Sequence, residues 1–277
     1  MKTSTYTTLL LSLLIMGCQS SDSVDQKQPA TPPNIVLILV DDMGYTDVGA
    51  FGSEISTPHI DSLANAGVKL TNFHSSPQCA PTRAMLLSGS NNHKAGMGSM
   101  FGSAMIEEDY GERVGYERQL HPRVATLPER LGDAGYHTYM SGKWHLGASP
   151  EHAPTQKGFD RSFALLIGSS NHFGLPSINP ATAFRADGDI VEELPEDFYT
   201  SITYTDKLIE FIDGNKGDDK PFFAFMSYTA PHWPLQVPDE YLDRNSGRYD
   251  AGYDCLLYTS PSPRDEQFHL VCRLLLE

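Results

Sequence analysis

Cys79-Ala80-Pro81-Thr82-Arg83 places a thiol four residues ahead of a guanidinium, with the apolar run Met85-Leu86-Leu87 behind. Proline suits the first turn of a helix, where a missing N–H costs nothing, so Cys79 is expected at a helix N-terminus with Arg83 one turn on. The helix dipole and the guanidinium would both favour an anion beside the sulfur. An ordinary helix start with a buried cysteine fits the pentapeptide equally well, and the rest of the chain decides between the two. Asp41-Asp42 offers paired hard oxygen donors suited to Ca²⁺ or Mg²⁺, although a solvated turn carries such a pair just as readily. Lys143 and His145 stand two apart, so in an extended stretch both would point to one side while Trp144 packs on the other. His232 lies between prolines in Ala230-Pro231-His232-Trp233-Pro234, which restricts its backbone.

The elements that must position these groups are legible in outline. Asn34 to Val40 is a continuous apolar, β-branched run, the pattern of a strand buried on both faces of a parallel sheet, and it stops at Asp41. Thr57-Pro58 opens a short helix with Ile60, Leu63 and Ala64 on one face, closed by Gly67. Val68 to Phe73 alternates like a strand. Thr126-Leu127-Pro128-Glu129 is a capping-box signature, with Leu127, Leu131 and Ala134 as the apolar face of the helix it starts. Strands are expected over Tyr136 to Ser141 and Phe222 to Tyr228, with a helix near Thr205 to Ile212. Strands alternating with helices imply an α/β domain with a largely parallel sheet. Asp41-Asp42, Lys143, His145 and His232 each then fall just beyond the carboxyl end of a strand, the edge where open α/β sheets bind ligands. The long Gly- and Pro-containing stretches between Met100 and Val124 and between Gly168 and Asp197 suit loops around such a site.

A formal net charge of −15 over 277 residues argues against a nucleic-acid footprint, and any anion must be handled by a few local cations or a metal. Met1 to Gly17 reads as a signal peptide, with Lys2 ahead of an apolar stretch too short to span a membrane. Leu14-Ile15-Met16-Gly17-Cys18 resembles a lipoprotein box that would leave Cys18 lipidated, and Gln19 to Pro33 reads as a polar tether. An exported lipoprotein, periplasmic or outer-membrane anchored, is therefore expected, with lipid on Cys18 as its membrane contact. From Cys255 onward, Cys255-Leu256-Leu257-Tyr258-Thr259-Ser260-Pro261-Ser262-Pro263-Arg264-Asp265 and then His269-Leu270-Val271-Cys272-Arg273 resemble translated sequencing adapters in library order. Residues 255–277 are thus expected to be read-through. Of the four cysteines, Cys79 alone then remains in the folded body, a candidate reactive site rather than half of a disulfide.

Gathered at one sheet edge, a divalent cation, a nucleophile at a helix N-terminus, an Arg, a Lys and two His would suit cleavage of a bond to a tetrahedral oxyanion. In their order and spacing, Asn34 to Asp42, Cys79 to Arg83, Gly142-Lys143-Trp144-His145-Leu146-Gly147 and Ala230 to Pro234 resemble the type I sulfatases of the alkaline-phosphatase-like superfamily, with bacterial arylsulfatases especially similar. Arg248-Tyr249-Asp250-Ala251-Gly252 adds a further similar segment. The resemblance covers about Asn34 to Asp254. It implies a three-layer α/β fold, incomplete at the C-terminus, and hydrolysis of sulfate monoesters. It also implies that a maturase oxidises Cys79 to formylglycine, whose hydrate attacks sulfur with one hydroxyl and releases sulfate by collapse of the other. Asp41, Asp42 and the modified Cys79 would bind Ca²⁺, with Mg²⁺ second. Arg83 and Lys143 would hold the formylglycine and sulfate oxygens, His145 would assist the hydrate, and His232 would protonate the leaving alcohol or phenol.

The pattern is incomplete, because such families take further metal ligands and another lysine from later segments. Asp41, Asp42 and one hydrate oxygen fall short of the six to eight oxygens that calcium takes. The chain as written is therefore expected to bind metal poorly and to show little activity. Two other readings stay open: a phosphonate or phosphodiester hydrolase of the same superfamily, and a non-catalytic surface lipoprotein that binds sulfated glycans.

Overall fold

In a computed structural model of the chain, residues 32–100, 113–174 and 183–252 are described. The expected signal, the expected tether up to residue 31, Cys18, and the segment from Cys255 on lie outside those residues, as do parts of both long loops. Contacts divide the chain into Met1–Pro32 and Pro33–Glu277, and the elements below belong to the second unit.

Six strands form one sheet in the order β1 (Ile35–Asp41), β6 (Phe222–Pro231), β2 (His137–Lys143), β3 (Arg161–Leu165), β4 (Phe184–Ala186) and β5 (Asp189–Ile190). The β1–β6, β6–β2 and β2–β3 pairs are parallel and the β3–β4 and β4–β5 pairs antiparallel, which gives the largely parallel sheet expected. Parallel pairing brings Asp41, Lys143 and Pro231, the last residues of β1, β2 and β6, to one edge.

Side chains alternate across the strands, as the two-residue period of β structure requires. On one face Met140, Phe223 and Phe225 pack with Ala80, Ala84 and Leu87 of α2 (Cys79–Ser88), and Leu127 and Leu131 of α3 (Leu127–Asp133) pack against that cluster. On the other, Tyr139, Ala224 and Met226 pack with Tyr204, Leu208 and Phe211 of α4 (Thr200–Gly214). These are the three layers of an α/β fold. The start of α3 follows the capping-box reading: Glu129 N–H donates to Thr126 Oγ1 at 3.2 Å, and Thr126 N–H donates to the Glu129 carboxylate at 2.7 Å.

Two expectations are corrected, one at β1 and one at Val68 to Phe73. Ile35, Leu37 and Leu39 pack on the core, but Val36 and Ile38 are 56% and 51% exposed, so β1 is not covered on both faces. Among the described residues it is an edge strand, and a continuous apolar run reports what a strand can bury without reporting what lies over it. Val68 to Phe73 is irregular rather than a strand, with Val68, Leu70 and Phe73 all exposed. Alternation without a partner strand leaves its apolar side chains unburied. The helix α1 (Pro58–Ala66) forms where expected, yet Ile60 and Leu63 on its apolar face are also exposed.

Candidate active site

Cys79 is the first residue of α2, and Pro81 falls in the first turn, as the sequence predicts. The N-terminal dipole of α2 therefore points at the sulfur. Cys79 Sγ lies 3.3 Å from His145 Nδ1 and 3.3 Å from Met100 Sδ. One turn on, Arg83 is 2% exposed. Its Nη1 donates to the Lys143 carbonyl at 2.8 Å and to Ser227 Oγ at 2.5 Å, and its Nη2 is 3.4 Å from Asp41 Oδ1. Burial pulls the Arg83 pKa down and the Asp41 carboxylate opposes that pull. Nε of Arg83 has no hydrogen-bond partner among the described residues, and Nη2 faces only the Asp41 carboxylate. Buried donors of this kind suit an anion that arrives from solution.

Lys143, fully buried at the end of β2, pairs with Asp41 Oδ2. Asp41 thus meets a cation on each oxygen. Ser227 was not singled out from the sequence; its hydroxyl donates to the Lys143 carbonyl at 2.6 Å and accepts from Arg83, which ties β6 to β2 and α2. A lone serine inside the apolar run Phe222 to Met226 and Tyr228 was the available signal.

Beyond Lys143 the extended chain breaks at His145, whose φ is +57°, and Trp144 turns into the core at 1% exposure. Left-handed backbone at a non-glycine residue is uncommon and has to be held by its surroundings. Gly168 supplies part of that support: a Cβ there would stand 2.7 Å from the His145 ring, so only glycine lets the imidazole lie against this backbone. Burial pushes the His145 pKa down to about 3, with Lys143 and Arg83 adding to the effect, so the ring is neutral near pH 7. A neutral imidazole facing Sγ can accept a hydrogen bond from a group built on the Cys79 side chain.

Asp42 and His232 form a second, more open pair. Asp42, also left-handed at φ +60°, has a side chain 62% exposed, and its Oδ2 stands 3.5 Å from His232 Nε2. His232 Nδ1 donates to the Trp233 carbonyl at 2.6 Å, which leaves Nε2 as the nitrogen directed outward. Cys79, Arg83, Lys143, His145 and Asp41 are therefore brought together directly, with Asp42 and His232 beside them at the same sheet edge.

A hard divalent cation takes six or more oxygen ligands. The described residues offer two carboxylates, and both oxygens of Asp41 already face Lys143 and Arg83. No group of three or more His, Cys, Asp or Glu among the described residues is arranged to hold a metal ion. This set alone does not fit one.

Residues 33–263 match the family model described as Sulfatase. The chain is 47% identical over 234 residues to an uncharacterized sulfatase of Schizosaccharomyces pombe, covering 81% of this chain and 42% of that protein. It is 42% identical over 226 residues to an arylsulfatase of Klebsiella aerogenes, covering 80% of this chain and 47% of that one. Among solved structures, that of Ps i-CgsB in complex with k-i-k-neocarrahexaose superposes with a TM-score of 0.63 at 31% identity, covering 76% of this chain and 48% of that one. The chain spans less than half the length of these curated relatives.

Proposed function

Because this chain belongs to the sulfatase family, we propose that its protein hydrolyses sulfate monoesters with Cys79, matured to formylglycine, as the nucleophile. The observation that carries this reading is the placement of Cys79 at the start of α2, against a neutral His145 and beside the buried cations Arg83 and Lys143. Sulfatases generally work through a formylglycine and a metal ion. Here the aldehyde would come from a maturase that brings its own oxidant: the CH2–SH carbon gives up two electrons to it, the C–S bond breaks with sulfur leaving as sulfide, and C=O forms with oxygen taken from water or from the oxidant.

The hydrate of that aldehyde carries two hydroxyls on one carbon. One would pass its proton toward the neutral His145 as its oxygen attacks sulfur, while the ester S–O bond breaks and the leaving oxygen takes a proton from His232 Nε2. Arg83, whose buried Nε is free among the described residues, and Lys143 would hold the oxygens on which negative charge develops. The second hydroxyl would then lose its proton as C=O re-forms and the C–O bond to sulfate breaks, and water would restore the hydrate. The net reaction is ester plus water to alcohol plus hydrogen sulfate. The two hydroxyls explain why a thiol would be replaced: a sulfate ester on a simple alcohol has no such internal route to expulsion.

Asp41 and Asp42 would serve as two ligands of a Ca²⁺ set that needs donors from outside the described residues, and no step above is routed through that ion. Export with lipid on Cys18 would bring the site to substrates outside the cytoplasm. The test is to co-express the protein with a formylglycine-generating maturase, weigh the Cys79 peptide, and compare turnover of an aryl sulfate and an aryl phosphonate. The expected result is the mass of formylglycine and faster sulfate hydrolysis. An unmodified thiol with retention of sulfated glycan would overturn catalysis, and faster phosphonate turnover would overturn the choice of ester.

A further inference from the structure

Near His232 the loop's own contacts hold little of its backbone: the His232 amide donates to the Thr229 carbonyl at 3.0 Å and the ring to the Trp233 carbonyl, while Nε2 stands 3.5 Å from the exposed Asp42 carboxylate. The neighbouring Trp233 and Leu235 are exposed. A proton donor must hold its nitrogen within hydrogen-bond reach of one leaving oxygen, so something has to fix this loop. His172 is 2% exposed, and no part of the chemistry above uses it. Its Nε2 lies 3.1 Å from the carbonyl oxygen of His232, and its Nδ1 lies 2.8 Å from Thr200 Oγ1. A carbonyl only accepts, so Nε2 carries the hydrogen toward His232, and Nδ1 shares a second hydrogen bond with the Thr200 hydroxyl.

The backbone repeats the grip. Thr200 N–H donates to the His172 carbonyl at 2.9 Å, and His172 N–H donates to Gln236 Oε1 at 2.9 Å. Thr200 opens α4, whose Tyr204, Leu208 and Phe211 are locked into the core. His172 is therefore fastened on one side to a rigid helix and on the other to the His232 loop at two points. It joins chain segments 60 residues apart through a buried ring.

We infer that His172 is a positioning residue for His232: it holds the His232 backbone from the start of α4 so that Nε2 stays aimed at the leaving group. This rests on His232 being the proton donor of the proposed hydrolysis. The test uses the full-length, maturase-treated enzyme with phenyl sulfate, whose leaving phenol needs a proton, and 4-nitrophenyl sulfate, whose leaving group needs one far less. His232→Ala is expected to lower kcat on phenyl sulfate by about 100-fold or more, the lower end of general-acid contributions, and to spare 4-nitrophenyl sulfate in comparison. His172→Ala is expected to show the same bias at about 10-fold, and to speed hydrogen exchange at the His232 amide. His172→Gln, which restores a donor near the Nε2 position, is expected to return kcat on phenyl sulfate to within about 3-fold of the parent.

Equal losses on both esters in His172→Ala, or no rescue by glutamine, would overturn the inference and leave His172 as packing alone. If His232→Ala itself shows no leaving-group bias, the reading of His232 as acid falls. What His172 does is then read from exchange at the His232 amide in His172→Ala: faster exchange supports its hold on the His232 backbone, and unchanged exchange overturns that hold. Should His172→Ala fail to fold, Thr200→Val removes the group that orients the ring and is expected to give the same bias at a smaller size; equal losses there would also overturn the inference.

Discussion

Asp41 and Asp42 are adjacent in sequence and chemically identical, yet they stand on opposite sides of a divide that runs through the site. On one side, Lys143, Arg83, Ser227 and Asp41 lie between α2 and the β2 and β6 strands, buried and connected by short hydrogen bonds. On the other, Asp42 is at the exposed end of β1, a strand whose Val36 and Ile38 are open to water. The side that would hold nucleophile and anion is finished, whereas the side that would hold a metal presents carboxylates without a cage. Covering layers are what fix side chains in place, and among the described residues the covered half of the sheet holds the fixed ones.

The sharpest way to break this comparison is to remove each carboxylate charge in turn. Asp41→Asn leaves two buried cations without their shared counter-charge and is expected to cost about 3–5 kcal/mol, read from the denaturant midpoint. Asp42→Asn at the exposed rim is expected to cost under about 1 kcal/mol. Equal losses would show that the two sides are held alike.

That same divide separates what could be read from the chain and what could not. Pro81 after Cys79 announced the start of α2, and the apolar runs ending at Asp41, Lys143 and His232 placed those residues at one edge, because local pattern and strand direction suffice for both. The exposure of Val36 and Ile38 was not legible: the run Asn34 to Val40 records hydrophobicity, and whether a helix lies over a strand is decided elsewhere in the fold. Val68 to Phe73 misled for the same reason, since alternation needs a neighbouring strand to become structure. His172 was invisible because its meaning lies in a hydrogen bond to a backbone atom 60 residues away. Ser227 was half visible, as one hydroxyl in a strand of apolar side chains.

Packing gives the next contrast. Met226 and Ile38 are partners in register on neighbouring strands, but α4 covers only the first. Met226→Ala, at 4% exposure, is expected to cost about 2–5 kcal/mol in the denaturant midpoint. A cost below about 1 kcal/mol would mean that α4 is not seated as described. Ser227→Ala should fall lower, at about 1–3 kcal/mol by the same measurement, because it takes one partner from each of two buried groups without opening a large cavity. Ser227→Thr keeps the hydroxyl and is expected to recover part of that loss, unless the added methyl collides with the Arg83 fork.

The smallest effect on stability tests the open side most directly. Val36 and Ile38 already meet water, so Val36→Thr with Ile38→Thr removes little burial and keeps β-branched side chains suited to a strand. The expected change in unfolding free energy is within about 0.5 kcal/mol, as for surface substitutions generally. Solubility should rise and concentration-dependent association in size-exclusion chromatography should fall, because an edge strand with an apolar face is a template for further pairing. A clear loss of stability would mean that in solution this face is covered, by a second copy or by further chain. The contrast between the finished and open sides would then belong to the isolated segment, and Asp42 would stand at a buried seam instead of a rim.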